Sequence, residues 1–182
     1  MTPPRTESEE TDARLVEAYR SGDERAAAEL VRRHAPMLGR FLAGAGAFPS
    51  EVEDLVQEAL FRAFRRIDSW RGDASFRSWL LTIGGNLLKD EHRRRKGRTV
   101  ISIEDRDIPD PSDPSGGVVA DELADRIQAG LGKLPRLQRE VFLMRAQQGA
   151  EYQDIAKALG TTPGAARVHF HHAIKALKGL IE

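Results

Sequence analysis

The sequence predicts an all-α fold: two small helical domains joined by a flexible acidic linker, the second a helix-turn-helix domain. Three observations carry this. Apolar residues recur at helical spacing along most of the chain, and strand-like alternation is confined to TVISI at 99–103. The stretch SIEDRDIPDPSDPSGG at 102–117 holds three prolines, two adjacent glycines and little apolar content, so it cannot bury enough surface to fold alone. Near the C-terminus a helical segment, a glycine-bearing turn and a second helical segment follow in order. The first domain is expected over 1–98, the linker over 99–120 and the second domain over 121–182.

Residues 13–42 read as two helical stretches broken near SGD at 21–23, with Leu30, Val31, Met37, Leu38, Phe41 and Leu42 as core candidates. Pro36 should start or kink a turn in the second stretch. The next segment, PSEVEDLVQEALFRAFRRI, opens with a capping box of Ser50 and Glu53. Its residues Val52, Leu55, Val56, Ala59, Leu60, Ala63 and Ile67 form one apolar stripe. In SFRSWLLTIGGNLLKDEHRRRK the same spacing joins Phe76, Trp79, Leu80, Ile83 and Leu87.

Charge is informative only by position. The 28 basic and 28 acidic residues cancel overall. Locally, residues 85–98 set six bases against Asp90 and Glu91, whereas 101–125 set eight acids against Arg106 alone. Residues 133–182 return to eight bases and four acids. Two basic modules around an acidic spacer suit a polyanionic partner that the spacer repels. With no cysteine there are neither disulfides nor thiolate ligands. No apolar run approaches a bilayer span, and the polar N-terminus is unlike a signal peptide, so a cytoplasmic protein without membrane insertion is expected.

Two surfaces stand out in the first module. At 100° per residue, Asp54, Gln57, Glu58 and Phe61 fall together, opposite the buried stripe. Either Phe61 is one of the many single exposed apolar residues, or it anchors a partner whose basic surface the acids seek. Further on, Trp70, Phe76 and Trp79 lie among Arg71, Arg77, Lys89 and Arg93. Aromatics among cations suit single-stranded nucleic acid, since bases stack on rings while cations hold phosphates. The alternative makes both tryptophans core and the basic run a solvated helix end. Gly84-Gly85 costs a helix about 1 kcal/mol per glycine and permits close backbone approach. Asn86, beside it, can donate and accept at a base edge.

In YQDIAKALGTTPGAARVHFHHAIKAL, a helix over 152–159 ends at Gly160; Thr162 is an N-cap and Pro163 a first helical residue. A supporting helix is expected in LPRLQREVFLMR at 134–145, from Leu137, Val141, Phe142 and Met144. An unrelated helical hairpin would share these signals. On the last helix the buried stripe should be Ala166, Phe170, Ala173 and Leu177. Val168, His171, His172 and Lys175 then point outward, flanked by Arg167 and His169. His169 and His171 stand about 160° apart at 100° per residue, so the three histidines cannot converge on one ion and no metal is expected. Contact with DNA is the better reading.

Two stretches carry a family resemblance. EDLVQEALFRAFRRIDSWRGDASFRSWLLTIGGNLLKDEHRRR resembles the second conserved region of bacterial sigma factors. LPRLQREVFLMRAQQGAEYQDIAKALGTTPGAARVHFHHA resembles their fourth. With so short a spacer, the chain is similar to the extracytoplasmic-function (ECF) group. The resemblance implies that Asp54, Gln57, Glu58 and Phe61 dock on the β′ clamp helices of core RNA polymerase, with the β flap as a second contact. It implies that Trp70, Arg71, Phe76, Arg77, Trp79, Asn86, Lys89 and Arg93 serve the −10 element, Asn86 reading a flipped base. It assigns Thr162, Pro163, Arg167, Val168, His171, His172 and Lys175 to −35 DNA, and it makes an anti-sigma partner plausible. No cofactor and no catalytic residue are implied. A helix-turn-helix regulator acting without polymerase is the rival. An enzyme is disfavoured, because there is no Gly-rich phosphate loop, nucleophile–base constellation or HExxH spacing.

Overall fold

A computed structural model describes residues 6–99 and 120–181. Among these there are eight α-helices and no strand: α1 Glu7–Arg20, α2 Glu24–Gly44, α3 Pro49–Arg65, α4 Phe76–Thr99, α5 Ala120–Lys133, α6 Arg136–Phe142, α7 Tyr152–Leu159 and α8 Pro163–Ile181. Most of the expected linker falls outside the described residues.

The first helix begins at a capping box, Thr6 with Glu9, and ends at the left-handed turn of Gly22 (φ +98°). Its inner face sets Asp12 against α2, where Arg33 Nε lies 2.9 Å and His34 Nε2 3.0 Å from the carboxylate. Burial pushes this carboxyl up, but the hydrogen bonds and charges of His34 and Arg33 outweigh it, and the net shift is downward.

Pro36 does not start a turn, because α2 runs through it. The ring faces solvent, and Leu30, His34, Met37, Leu38, Phe41 and Leu42 are buried on both sides of it. Burial along the whole stripe outweighs the one lost hydrogen bond. The expected capping box at Ser50 is also absent. The helix starts two residues earlier, with Phe48 as N-cap and Pro49 as its first residue, so Ser50 is inside it.

The glycine pair of α4 serves the core. A Cβ on Gly84 would meet Leu38 Cδ1 at 2.8 Å, whereas one on Gly85 would sit 3.8 Å from the Phe41 ring. Close backbone approach is therefore real, but the approaching element is α2 and not a nucleic acid.

In the second module α8 packs on α5, α6 and α7. The supporting helix α6 is shorter than expected and passes into a π-helical turn, Leu143–Gln147. Gly160 closes α7 with φ +64°, and Thr162 Oγ1 accepts the Ala165 N–H at 3.1 Å to open α8. Helix, turn and helix lie where the sequence puts them.

The two modules touch. Leu143 packs within 2.9 Å of where a Cβ on Gly44 would stand, at the end of α2. Arg139 donates to the carbonyls of Ala45 (3.0 Å), Gly132 (2.9 Å) and Leu134 (3.1 Å), bolting the end of α2 to the α5–α6 turn. Burial pushes this guanidinium below its ordinary value.

The glycine pair gives a paired prediction. Alanine gains up to about 1 kcal/mol of helix propensity at either position, but overpacking costs about 1–3 kcal/mol. Gly84→Ala should lower the denaturation midpoint, while Gly85→Ala should hold or raise it in the same urea titration.

Candidate polymerase and nucleic-acid interfaces

Phe61 is 57% exposed on the outer face of α3, the face opposite buried Ala59, Leu60 and Ala63. Asp54 and Gln57 are exposed beside it. Glu58 is half-buried and bound by Arg62 at 2.6 Å, and Arg65 lies 5.6 Å from the Phe61 ring centre. The face thus changes from acidic to basic along one helix, with the aromatic at the boundary. The four residues expected here are brought together.

The expected −10 residues divide. Trp70 and Phe76 are 8% and 1% exposed, so both rings belong to the core and offer no stacking face. Trp70 packs edge-on against Phe76 with centroids 5.9 Å apart, and its indole N–H donates to the Ala74 carbonyl. The apolar interior has claimed them because each spans the gap between the loop and α4. What they do is shape the loop 66–76. Trp79 is half-buried and tilted against Phe76. Arg71, Asn86, Lys89 and Arg93 are exposed, the last three on one side of α4; Arg93 is paired with Asp90. Arg77 is half-buried and donates to the Gln148 carbonyl at 2.7 Å.

Sequence reading missed Arg20. From α1 it donates to the carbonyls of Ile67 and Trp70, both at 2.7 Å, and fastens the loop from behind. No local spacing joins residues fifty apart, so no pattern could have flagged it.

On α8, Arg167, Val168, His171, His172 and Lys175 are all exposed, Val168 to 52%. Ala166, Ala173 and Leu177 are buried and Phe170 half-buried, as the helical wheel requires. The His171 and His172 ring centres stand 6.3 Å apart. Among the described residues no group of three or more His, Cys, Asp or Glu could hold a metal ion. Tyr152, at the start of α7, was not anticipated. Its ring lies 5.1 Å from the Arg167 guanidinium and 4.9 Å from that of Arg145, and meets Phe170 edge-on. The aromatic therefore presents Arg167 at the outer surface of the helix-turn-helix.

Family descriptions match both modules: Sigma-70 region 2 over residues 30–98 and Sigma-70, region 4 over 124–177. The RNA polymerase sigma factor NccH of Alcaligenes xylosoxydans xylosoxydans is 30% identical over 176 residues, covering 94% of this chain and 95% of that protein. The chain belongs to the sigma-70 family of RNA polymerase sigma factors. The ECF sigma-E factor of Escherichia coli K12 is 29% identical over 187 residues, covering 94% of this chain and 95% of its own. Within the family the chain is therefore an ECF sigma factor, which engages core polymerase and promoter DNA to direct transcription initiation. The solved structure of CnrH in complex with the cytosolic domain of CnrY superposes with TM-score 0.72 at 27% identity, over 94% of this chain and 97% of that one. RpoE from Bartonella quintana, solved with the anti-sigma factor NepR, shares the fold at TM-score 0.69 and 22% identity, over 84% of this chain and 94% of its own.

For this sigma factor, Tyr152→Leu should keep the apolar contact with Phe170 and lose both cation–π contacts. Affinity for a −35 duplex should fall by about 1 kcal/mol, read by fluorescence anisotropy with the melting temperature as the control for folding.

Proposed function

We propose that this ECF sigma factor docks on the β′ clamp helices of core polymerase through Asp54, Gln57, Glu58 and Phe61. The second module reaches the β flap and reads −35 DNA with α8. The loop 66–76 and the exposed side of α4, with Arg71, Arg77, Asn86, Lys89 and Arg93, take the −10 strand, Asn86 at a flipped base. Flipping costs a few kcal/mol of unstacking, which a preformed loop and its cations must offset. The domain limits are 1–98, 99–120 and 121–182. The protein supplies position and charge, not a catalytic group, and works in the cytoplasm. No described helix is long and apolar enough to cross a membrane.

The observation that carries the reading is Phe61: a large aromatic held in solvent on a domain that buries Phe41 and Phe76 completely or nearly so. Such a residue, flanked by Asp54 and Glu58, fits an anchor on a basic partner.

An anti-sigma factor is a further expected partner. CnrH matches this chain over nearly its full length, both modules included, and it was solved with CnrY in place.

Phe61→Ala tests the docking face. Core polymerase should bind the variant about 2 kcal/mol or more weakly, with an unchanged circular dichroism spectrum. Wild-type affinity in a pull-down would remove the clamp assignment.

A further inference from the structure

Phe61 and Val168 are the large apolar side chains left in solvent among the described residues. Phe61 stands on α3, while Val168, 52% exposed, is the sixth residue of α8. Single exposed apolar residues are common and mean little on an ordinary surface. Here the surface is the early part of the second helix of a helix-turn-helix, the part that meets base edges in the major groove.

At 100° per residue, Gly164 and Ala165 stand one turn before Val168, about 40° to one side of it and about 60° to the other. His171 and His172 stand one turn after it, again about 60° and about 40° to either side. Side chains on a helix lean toward its start, so the valine methyls stand over Gly164 and Ala165, which are too small to cover them. A Cβ on Gly164 would meet nothing within 4 Å, so packing does not demand the glycine. Arg167 leaves the methyls bare as well, because its guanidinium is drawn to the Tyr152 ring, 5.1 Å away. The result is an apolar spot of methyl size, bordered by two imidazoles whose centres lie 6.3 Å apart.

Arg167, His171, His172 and Lys175 carry N–H groups that can bond a base edge or a phosphate, whereas Val168 carries none. The floor of the major groove offers an apolar side chain one kind of partner, the C5-methyl of thymine, since the other three bases show only donors and acceptors there. We propose that Val168, over Gly164 and Ala165, is a specificity residue that reads the methyl group of one thymine in the −35 element. Thymine suits the rim too, because its O4, beside the methyl, accepts from an imidazole N–H. The inference rests on the −35 assignment of α8 and names the chemical group that the helix selects.

The test begins with core polymerase loaded with this protein selecting from a pool of random duplexes, with core polymerase alone as control. Each thymine of the shared −35 sequence is then replaced singly by deoxyuridine, which removes the methyl and keeps O4 and the base pairing. The wild type should lose about fourfold in affinity at one of these positions, the value of one buried methyl. Val168→Ala should bind the thymine duplex about fourfold more weakly and bind the thymine and uracil duplexes within twofold of each other. Its melting temperature should hold, since the residue is exposed and alanine is the better helix former. A wild type indifferent to every replacement would overturn the proposal. So would a thymine preference that survives intact in Val168→Ala, or a variant that loses core polymerase in a pull-down, which would make the valine a protein anchor. If the loaded polymerase selects no shared −35 sequence at all, the −35 assignment itself falls, an outcome distinct from indifference to the methyl.

Discussion

The close contact of α2 with α4, where Leu38 lies over Gly84, is the constraint on which the rest of this sigma factor depends. It sets α4 deep enough for Leu80, Leu81, Leu87 and Leu88 to be buried, and for Phe76 to reach His34. With the start of α4 fixed there, Trp70 closes over Phe76 and Arg20 fastens the loop behind it. The other side of α4 is left to Asn86, Lys89 and Arg93. A surface proposed to hold a flipped base gains from being built before the base arrives, because ordering it afterwards would draw on the same binding energy.

Helical periodicity was enough to reveal much of this. The apolar stripe of α3 left Phe61 outside, and the wheel of α8 put His171 and His172 on the outer face, because both inferences need only 100° per residue and a buried side. Gly160, Thr162 and Pro163 marked the helix-turn-helix because each residue type has a local backbone reason to stand there. Contacts between distant segments were not legible. Nothing near Arg20, Arg139 or Tyr152 signals what each touches. Trp70 and Phe76 illustrate the opposite error: an aromatic among cations reads as a stacking surface until the tertiary fold shows it turned inward. Pro36 misled for a related reason, since one lost hydrogen bond weighs little against a stripe buried on both sides of it.

The electrostatics explain why charge totals said nothing. Several bases are engaged within the molecule: Arg33 with Asp12, Arg62 with Glu58, Arg95 with Glu51, and Arg139 with three carbonyls. Arg71, Lys89, Arg167 and Lys175 remain exposed on the two surfaces proposed to face DNA. Arg77 and Arg93 sit between these classes, each held by a protein oxygen that a phosphate would replace. The exposed Arg93–Asp90 pair is worth little, which suits a contact that a phosphate could replace.

Sequencing the 5′ ends of transcripts made by purified core polymerase on fragmented genomic DNA, with and without this protein, tests the central claim most directly. The account predicts a new set of start sites that appears only with the protein and shares one upstream pair of sequence elements at −35 and −10. Start sites that are unchanged by its addition, or new ones with no shared upstream elements, would contradict it.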